Sequence, residues 1–218
     1  MSIKEEQINM IKQQLRTNGV LSEKILDLYE KLPRHEFVPG HFKHFAYSDL
    51  QIELSHEQRM MTPVEEVSIL QALNLNGKET VLEIGTGSGF LTALLSQLAK
   101  KVISVEYFQD MTTLAAEKLK KYECNNVELL TSDASRGFFE KAPYDVIIIT
   151  SAIEDLSDTL KLQVAPMGKL FAIIGEKPLM QGRLYQLDSD SKWSYKILFE
   201  TCLPMLIDKS SLKEHFVF

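Results

Sequence analysis

The stretch Thr80-Val81-Leu82-Glu83-Ile84-Gly85-Thr86-Gly87-Ser88-Gly89-Phe90 constrains the fold of this chain more than any other. A short apolar run carrying an acid breaks into alternating glycines and resumes as an apolar pattern at helical spacing. That order is a strand feeding a tight turn feeding a helix. Glycines at alternate positions let the backbone adopt positive φ and let a ligand lie almost against the main chain. The pattern predicts a nucleotide-type cofactor site. The dinucleotide fingerprint G-x-G-x-x-G needs a glycine where Phe90 stands, so that class fits poorly.

The flanking sequence places this turn in an α/β domain. Thr62-Pro63-Val64-Glu65 is a helix start, with Thr62 as cap, Pro63 at the first helical position and Glu65 completing a capping box. Asn76-Gly77 is expected to end that helix. Beyond it strands and helices alternate: strand 80–84, helix 89–100, strand 102–106, helix 109–121 and strand 127–132. A short helix near Ser135–Phe139, strand 144–150, a helix around 157–164 and strand 169–174 complete the run. The strands are Val, Ile and Leu with little alternation, as expected when helices cover both sheet faces. Segments 183–188 and 195–203 alternate around Asp188-Ser189-Asp190-Ser191 and predict an antiparallel hairpin at the sheet edge. Trp193 is expected to pack on that edge strand. Upstream, Ile3, Ile8, Ile11 and Leu15 predict a helix over 3–17, and Ser22 caps a second helix ending at Pro33. The fold class is therefore a doubly wound, Rossmann-like α/β domain with a seven-stranded, mostly parallel sheet. Residues 1–61 form a helical and irregular extension packed on it, and residues 62–218 the cofactor-binding domain.

Charge selects among ligands. Glu83, Glu106 and Asp133 fall at successive strand ends and surround the crevice with negative charge. A pyrophosphate is repelled there, whereas a cationic sulfonium ligand carrying an ammonium group is attracted. The net charge of −6 and pI near 5.5 argue against a duplex nucleic-acid binder. Cys124 and Cys202 have no metal-ligand spacing, and His41 and His44 lack matching carboxylates, so no metal site is expected. The start of the chain is polar and acidic, and no apolar run approaches the ~20 residues of a membrane span. A soluble, cytoplasmic protein is expected.

Nearly the whole chain resembles one family. Pro33-Arg34-His35-Glu36-Phe37-Val38-Pro39, Ala46-Tyr47-Ser48-Asp49, Val81 to Gly89 and Ala142-Pro143-Tyr144-Asp145 are similar to successive motifs of the protein-L-isoaspartate O-methyltransferases. These are class I S-adenosylmethionine-dependent methyltransferases. Asn126-Val127, Ser132-Asp133, Leu162-Gln163 and Met167-Gly168-Lys169-Leu170 continue the match. The resemblance implies S-adenosyl-L-methionine as cofactor and proteins or peptides bearing isoaspartate as partners. It also implies that the glycine turn (Glu83, Gly85, Thr86, Gly87, Gly89) holds the methionine part. Glu106 would hold the ribose, and Asp133 with Ala134 the adenine; Tyr107, next to Glu106, is a candidate to pack on the adenine.

The resemblance fails in one segment. The family carries Gly-Gln-Thr-Ile-Ser-x-Pro before the first sheet helix, and its serine is the usual active-site assignment. Anchored on Pro63, this chain reads Gln58-Arg59-Met60-Met61-Thr62-Pro63, so Met61 stands at the serine position. Thr62 offers a displaced hydroxyl, although its cap role already explains it. Arg59 offers a guanidinium suited to a carboxylate. His56 lies beside this segment. The alternatives are a methyltransferase of the same descent with another acceptor and a catalytically silent cofactor-binding protein.

Overall fold

A computed structural model describes residues 2–19 and 22–208; residues 209–218 of the expected 62–218 domain lie outside the described residues. The first part of the chain forms α1 (Ile3–Asn9), α2 (Glu23–Lys31), β1 (Ile52–Glu53), β2 (Arg59–Met60) and α3 (Pro63–Leu73). Then follow β3 (Thr80–Ile84), α4 (Phe90–Leu98), β4 (Lys101–Glu106), α5 (Gln109–Lys121) and β5 (Val127–Thr131). The remainder is β6 (Tyr144–Ile153), α6 (Asp158–Lys161), β7 (Val164–Glu176), β8 (Leu179–Leu187) and β9 (Trp193–Thr201). Seven of these strands make one sheet in the order β5-β4-β3-β6-β7-β8-β9. The pairings from β5 through β7 are parallel, and β7-β8 and β8-β9 are antiparallel.

Successive strand residues face opposite sides of the sheet, which splits the apolar runs into two cores. Val81, Val102, Val146, Ile148 and Phe171 face one side; Leu82, Ile103, Val105, Ile147 and Leu170 face the other. The extension packs into the first of these. Met10, Leu15, Tyr29, Phe37 and Tyr47 join the cluster of Val81, Phe90 and Leu94, and Phe90 meets Tyr29 and Phe37 edge-on at 5.6 and 5.3 Å.

Several boundaries differ from expectation for local reasons. The expected helix over 3–17 is α1 followed by a π-helical segment, Met10–Leu15. Its wider turn puts residues five apart on one face, so Met10 and Leu15 are buried while Ile3 is exposed. Ser22 holds the cap position of α2 without a side-chain cap bond. Thr62 does form the capping box with Glu65, but α3 ends at Asn74 in the left-handed conformation (φ 50°) rather than at Asn76-Gly77. No helix forms at Ser135–Phe139; a 3₁₀ turn follows at Phe139–Lys141. The helix expected around 157–164 is the short α6, because β7 already begins at Val164 and runs beyond the expected 169–174. Residues 33–57, irregular in sequence, contain 3₁₀ turns at Arg34–Glu36 and Gly40–Phe45 and then β1, which pairs with β2.

The extension is pinned by a fully buried arginine. Arg34 donates from Nε to the Ala46 carbonyl (2.9 Å), from Nη1 to Glu66 (2.5 Å) and from Nη2 to the Met61 carbonyl (2.6 Å). The Tyr29 hydroxyl also donates to Glu66, at 3.3 Å. Burial pushes the Glu66 carboxyl up to about 7 against the opposing pull of Arg34. Removing one partner of such a pair strands the other charge, so Arg34→Met is expected to destabilise the protein by about 3–5 kcal/mol. Arg34→Met combined with Glu66→Leu removes both charges and is expected to recover only part of that loss, because the Ala46 and Met61 carbonyls still lack their donor, read from urea unfolding midpoints.

Candidate active site

From β3 the chain moves to β4 and β5 on one side and then returns to β6 on the other. This reversal opens a crevice beyond the carboxyl ends of the strands, where ligands of open α/β sheets bind. A cleft of about 540 Å³, open mouth included, lies there. Gly85, Gly87, Glu106, Tyr107, Ser132, Ala134, Thr150 and Ser151 are among its walls. A smaller one of about 320 Å³ adjoins it beside Met61, Glu66, Glu83, Thr86 and Ser88.

The glycine turn has the conformation its sequence requires. Gly85, Gly87 and Gly89 have φ of +93°, +56° and +83°. A Cβ on Gly85 would run into the Thr150 hydroxyl, which donates to the Gly85 carbonyl at 2.7 Å. Gly89 serves packing instead. It caps α4, and a Cβ there would sit 3.2 Å from the Ala115 Cβ on α5. Sequence spacing had grouped it with the ligand-facing glycines, yet it lines neither cleft. The Thr86 hydroxyl is paired with Ser104 at 2.6 Å.

Glu83 is completely buried at the end of β3. Thr92 and Ser104 both donate to its Oε2, at 2.5 and 2.6 Å, and its Oε1 is buried with no hydrogen-bond partner. Burial pushes this carboxyl up to about 7, against the lowering effect of the two hydroxyls. A buried orphaned acceptor is a place where a bound donor completes the site. An ammonium group entering the smaller cleft supplies both the missing donor and the missing charge, so the residues fit the methionine end of S-adenosylmethionine.

Glu106 ends β4 and is also buried. Its carboxylate accepts the Gly87 N–H at 2.9 Å and the Phe108 N–H at 3.1 Å, which ties the glycine turn to the start of α5. A carboxylate has lone pairs beyond these two for ligand hydroxyls. Tyr107 lines the larger cleft, as does Ala134. Asp133 is placed at the same rim, between cleft residues Ser132 and Ala134, with its Oδ1 accepting the Ser135 N–H at 2.9 Å.

Two pieces that sequence reading missed close the crevice. The β1–β2 hairpin covers one side with Leu54, Gln58 and Arg59. Its tip holds His56 and Glu57 at φ 56° and 58°. The His56 ring stacks on Phe108 (3.8 Å between centroids, 6° between planes), with Nε2 2.9 Å from both Asp110 oxygens. On the other side the segment 202–207 bridges to β6. The Ala152 N–H donates to the Pro204 carbonyl and the Leu206 N–H to the Ala152 carbonyl, placing Leu206 and Ile207 in the cleft wall. Neither feature has periodicity or punctuation strong enough to mark it, and Thr150 and Ser151 lie inside β6, which runs past its expected end at residue 150.

The three candidates of the divergent segment separate clearly. Met61 is buried and lines the smaller cleft with Glu83 and the glycine turn, so the family's serine position does face the site. Thr62 borders none of these clefts, and its hydroxyl oxygen accepts the Glu65 N–H at 3.2 Å in the capping box. Arg59 lines both clefts and is half-exposed. Among the described residues no cluster of three or more His, Cys, Asp or Glu is arranged to hold a metal.

A mostly parallel sheet with an antiparallel edge, and a glycine turn beside a buried acid at the point where the strand order reverses, make a Rossmann-like domain of the kind methyltransferases use. The family model described as protein-L-isoaspartate(D-aspartate) O-methyltransferase matches residues 5–210. A protein-L-isoaspartate O-methyltransferase of Dictyoglomus turgidum is 38% identical over 161 residues, 74% of this chain and 73% of that protein. One from a Jannaschia species is 31% identical over 195 residues, 89% of this chain and 88% of that protein. A solved protein-L-isoaspartate O-methyltransferase superposes with a TM-score of 0.78 at 24% identity; the match covers 93% of this chain and 66% of that one. A beta-aspartate methyltransferase from Plasmodium falciparum, solved with S-adenosyl-L-homocysteine, superposes at 0.75 and 19% identity, over 95% of this chain and 99% of that one. The last two likenesses concern the fold. The chain belongs to the protein-L-isoaspartate(D-aspartate) O-methyltransferase family.

The buried Glu83 has a measurable consequence. Its folded-state value near 7 lies above the ordinary 4.5, so its contribution to stability is complete below about pH 4.5 and is lost as pH rises through about 7. Glu83→Gln is expected to match wild type near pH 4.5 and to exceed it at pH 8 by on the order of 3 kcal/mol in cofactor-free urea unfolding. The same variant is expected to bind S-adenosylhomocysteine at least tenfold more weakly at pH 8, measured by calorimetry, since the ammonium then meets a neutral amide.

Proposed function

We propose that this chain transfers a methyl group from S-adenosyl-L-methionine to the free carboxylate of L-isoaspartyl residues in damaged proteins and peptides. The observation that carries the reading is the orphaned Glu83 Oε1 on a residue that lines one cleft with Gly85 and Gly87, in a chain of this family. When bound, the cofactor supplies a methyl group activated by its positively charged sulfur. Glu83, Gly85 and Gly87 hold the methionine end, with Thr86 and Gly89 shaping the turn behind them. Glu106 holds the ribose, and Asp133 and Ala134 the adenine side, with Tyr107 packing on the adenine.

The chain needs no general base for this reaction. A carboxylate with an ordinary pKa near 4 is already ionised at neutral pH and is itself the nucleophile. What remains is alignment and exclusion of water, and orientation of this kind lowers barriers by roughly 7–11 kcal/mol in well-built sites. Leu54 on the hairpin and Leu206 and Ile207 on the 202–207 segment supply apolar walls for that purpose. One carboxylate oxygen gains the methyl and the donor leaves as S-adenosylhomocysteine. The neighbouring backbone nitrogen of the substrate then attacks the ester carbonyl, expelling methanol and losing its proton to give a succinimide. Water opens this ring to aspartate or isoaspartate, so repeated cycles restore normal aspartate.

Met61 at the family's serine position is the observation that favours a second reading, a methyltransferase of the same descent with another acceptor. The outer trough suits a peptide: about 1,630 Å³ of open space lies between the hairpin and the 202–207 segment, beside Lys177 and Cys202. Among the described residues no helix is long and apolar enough to cross a membrane.

Purified protein with labelled S-adenosylmethionine is expected to label an isoaspartyl peptide and not its aspartyl twin. Labelling of neither peptide, but of a component of a cell extract, would establish the second reading. Met61→Ser is expected to change kcat on the isoaspartyl peptide less than tenfold, because no hydroxyl is required to generate the nucleophile. A hundredfold gain would show that the serine is needed.

A further inference from the structure

We propose that Arg59 docks the reacting carboxylate, in place of the hydroxyl that the family carries two residues later, and that Glu53 is its built-in competitor. The inference rests on the isoaspartyl reading above. The site faces an electrostatic conflict. Glu83 and Glu106 line the crevice, which suits a cationic methyl donor and disfavours an anionic acceptor. An acceptor carboxylate must therefore meet a cation where it enters.

Arg59 is the cation in that position. It lines the cofactor cleft, the smaller cleft beside Glu83 and the outer trough; among the described residues only Leu54 shares all three walls. Leu54 has no polar side-chain atom. The other basic side chains near the crevice are committed or displaced. Arg34 is saturated by Ala46, Met61 and Glu66, and Lys118 donates to the carbonyls of Phe37 and Ser88. His56 is held by Asp110, and Lys177 borders the outer trough alone.

The local structure presents the guanidinium rather than burying it. In β2 the alternation puts Met60 inward and Arg59 outward, opposite Glu53 of β1. The hairpin is short and its tip is clamped through His56 on Phe108 and Asp110, so the side chain projects from a fixed base. Its hydrogen bond to Glu53 spans 3.4 Å between half-exposed and exposed groups, a weak pairing using one of five donors. A substrate carboxylate can take two parallel bonds from the same fork. Glu53 thus occupies the donor until a better-placed carboxylate displaces it.

The test is steady-state methylation of an isoaspartyl peptide, with calorimetric binding of S-adenosylhomocysteine run beside it. Arg59→Ala is expected to raise KM about 10- to 50-fold, as befits loss of a charge-assisted pair, with a smaller fall in kcat and cofactor affinity within twofold. Arg59→Lys is expected to recover part of the loss. Glu53→Gln is expected to shift KM the opposite way, lowering it about two- to threefold. Opposite signs at the two positions are not produced by a purely structural ion pair, whose removal from either side acts alike. An active wild type with KM unchanged in Arg59→Ala, or Glu53→Gln moving in the same direction as Arg59→Ala, overturns this role and leaves the proposed function standing. Loss of S-adenosylhomocysteine binding in Arg59→Ala and Arg59→Lys also overturns it, by placing the residue in the cofactor site. A wild type that labels no isoaspartyl peptide overturns the function and this role together.

Discussion

The arrangement of the active site depends on one buried guanidinium. Arg34 comes from the irregular extension, and its planar fork reaches three separate pieces of chain: the Ala46 carbonyl, the Met61 carbonyl and the Glu66 carboxylate on α3. Burying a charge this completely costs several kcal/mol, and only well-placed partners offset it. Hydrophobic contacts between the extension and α4 tolerate small slides; three directed bonds from one rigid group do not. The extension therefore docks in one register, and the segment 58–62, which carries the hairpin strand and the cleft-lining Arg59 and Met61, is fixed with it.

Charge is distributed by the same logic. The crevice places buried acids where a cationic donor is attracted, and Glu83 carries an oxygen without a hydrogen-bond partner in the protein and a raised protonation equilibrium. Its two hydroxyl partners lie on one oxygen only, so the other stays available. Glu106 is treated differently: two backbone N–H groups hold it, and in return it anchors the glycine turn against α5. One acid thus keeps an oxygen free of protein partners, and the other keeps the loop in shape.

Much of this was legible in the sequence where the determinants are local. The glycines with positive φ, the Thr62–Glu65 capping box and α5 over 109–121 follow from neighbours within four residues. The parallel sheet followed from doubly apolar strands. What was missed is set by distant contacts. The π turn at Met10–Leu15 arises where the helix meets the core, and β1–β2 is too short to show a period. The 202–207 segment is ordered by a bridge to Ala152, fifty residues away in sequence terms. Gly89 was read as part of a ligand cradle, but its missing side chain makes room for Ala115. Spacing identifies the glycine turn; it does not say which side of the turn each glycine serves.

The divergent segment shows why a family can lose its serine and keep its geometry. Met61 is located by its backbone: its carbonyl is bound by Arg34 and the next residue caps α3. Neither interaction uses the side chain, so substitution there leaves the path of the chain unchanged. A thioether in this position fills space and donates no hydrogen bond. The reaction needs an ionised carboxylate, which the acceptor brings, and a fixed approach, which the hairpin and the 202–207 segment supply. A hydroxyl in the wall orients the acceptor without creating the nucleophile. Its loss removes one orienting donor and leaves the nucleophile of the proposed methyl transfer intact, which is the gap the proposed role of Arg59 fills.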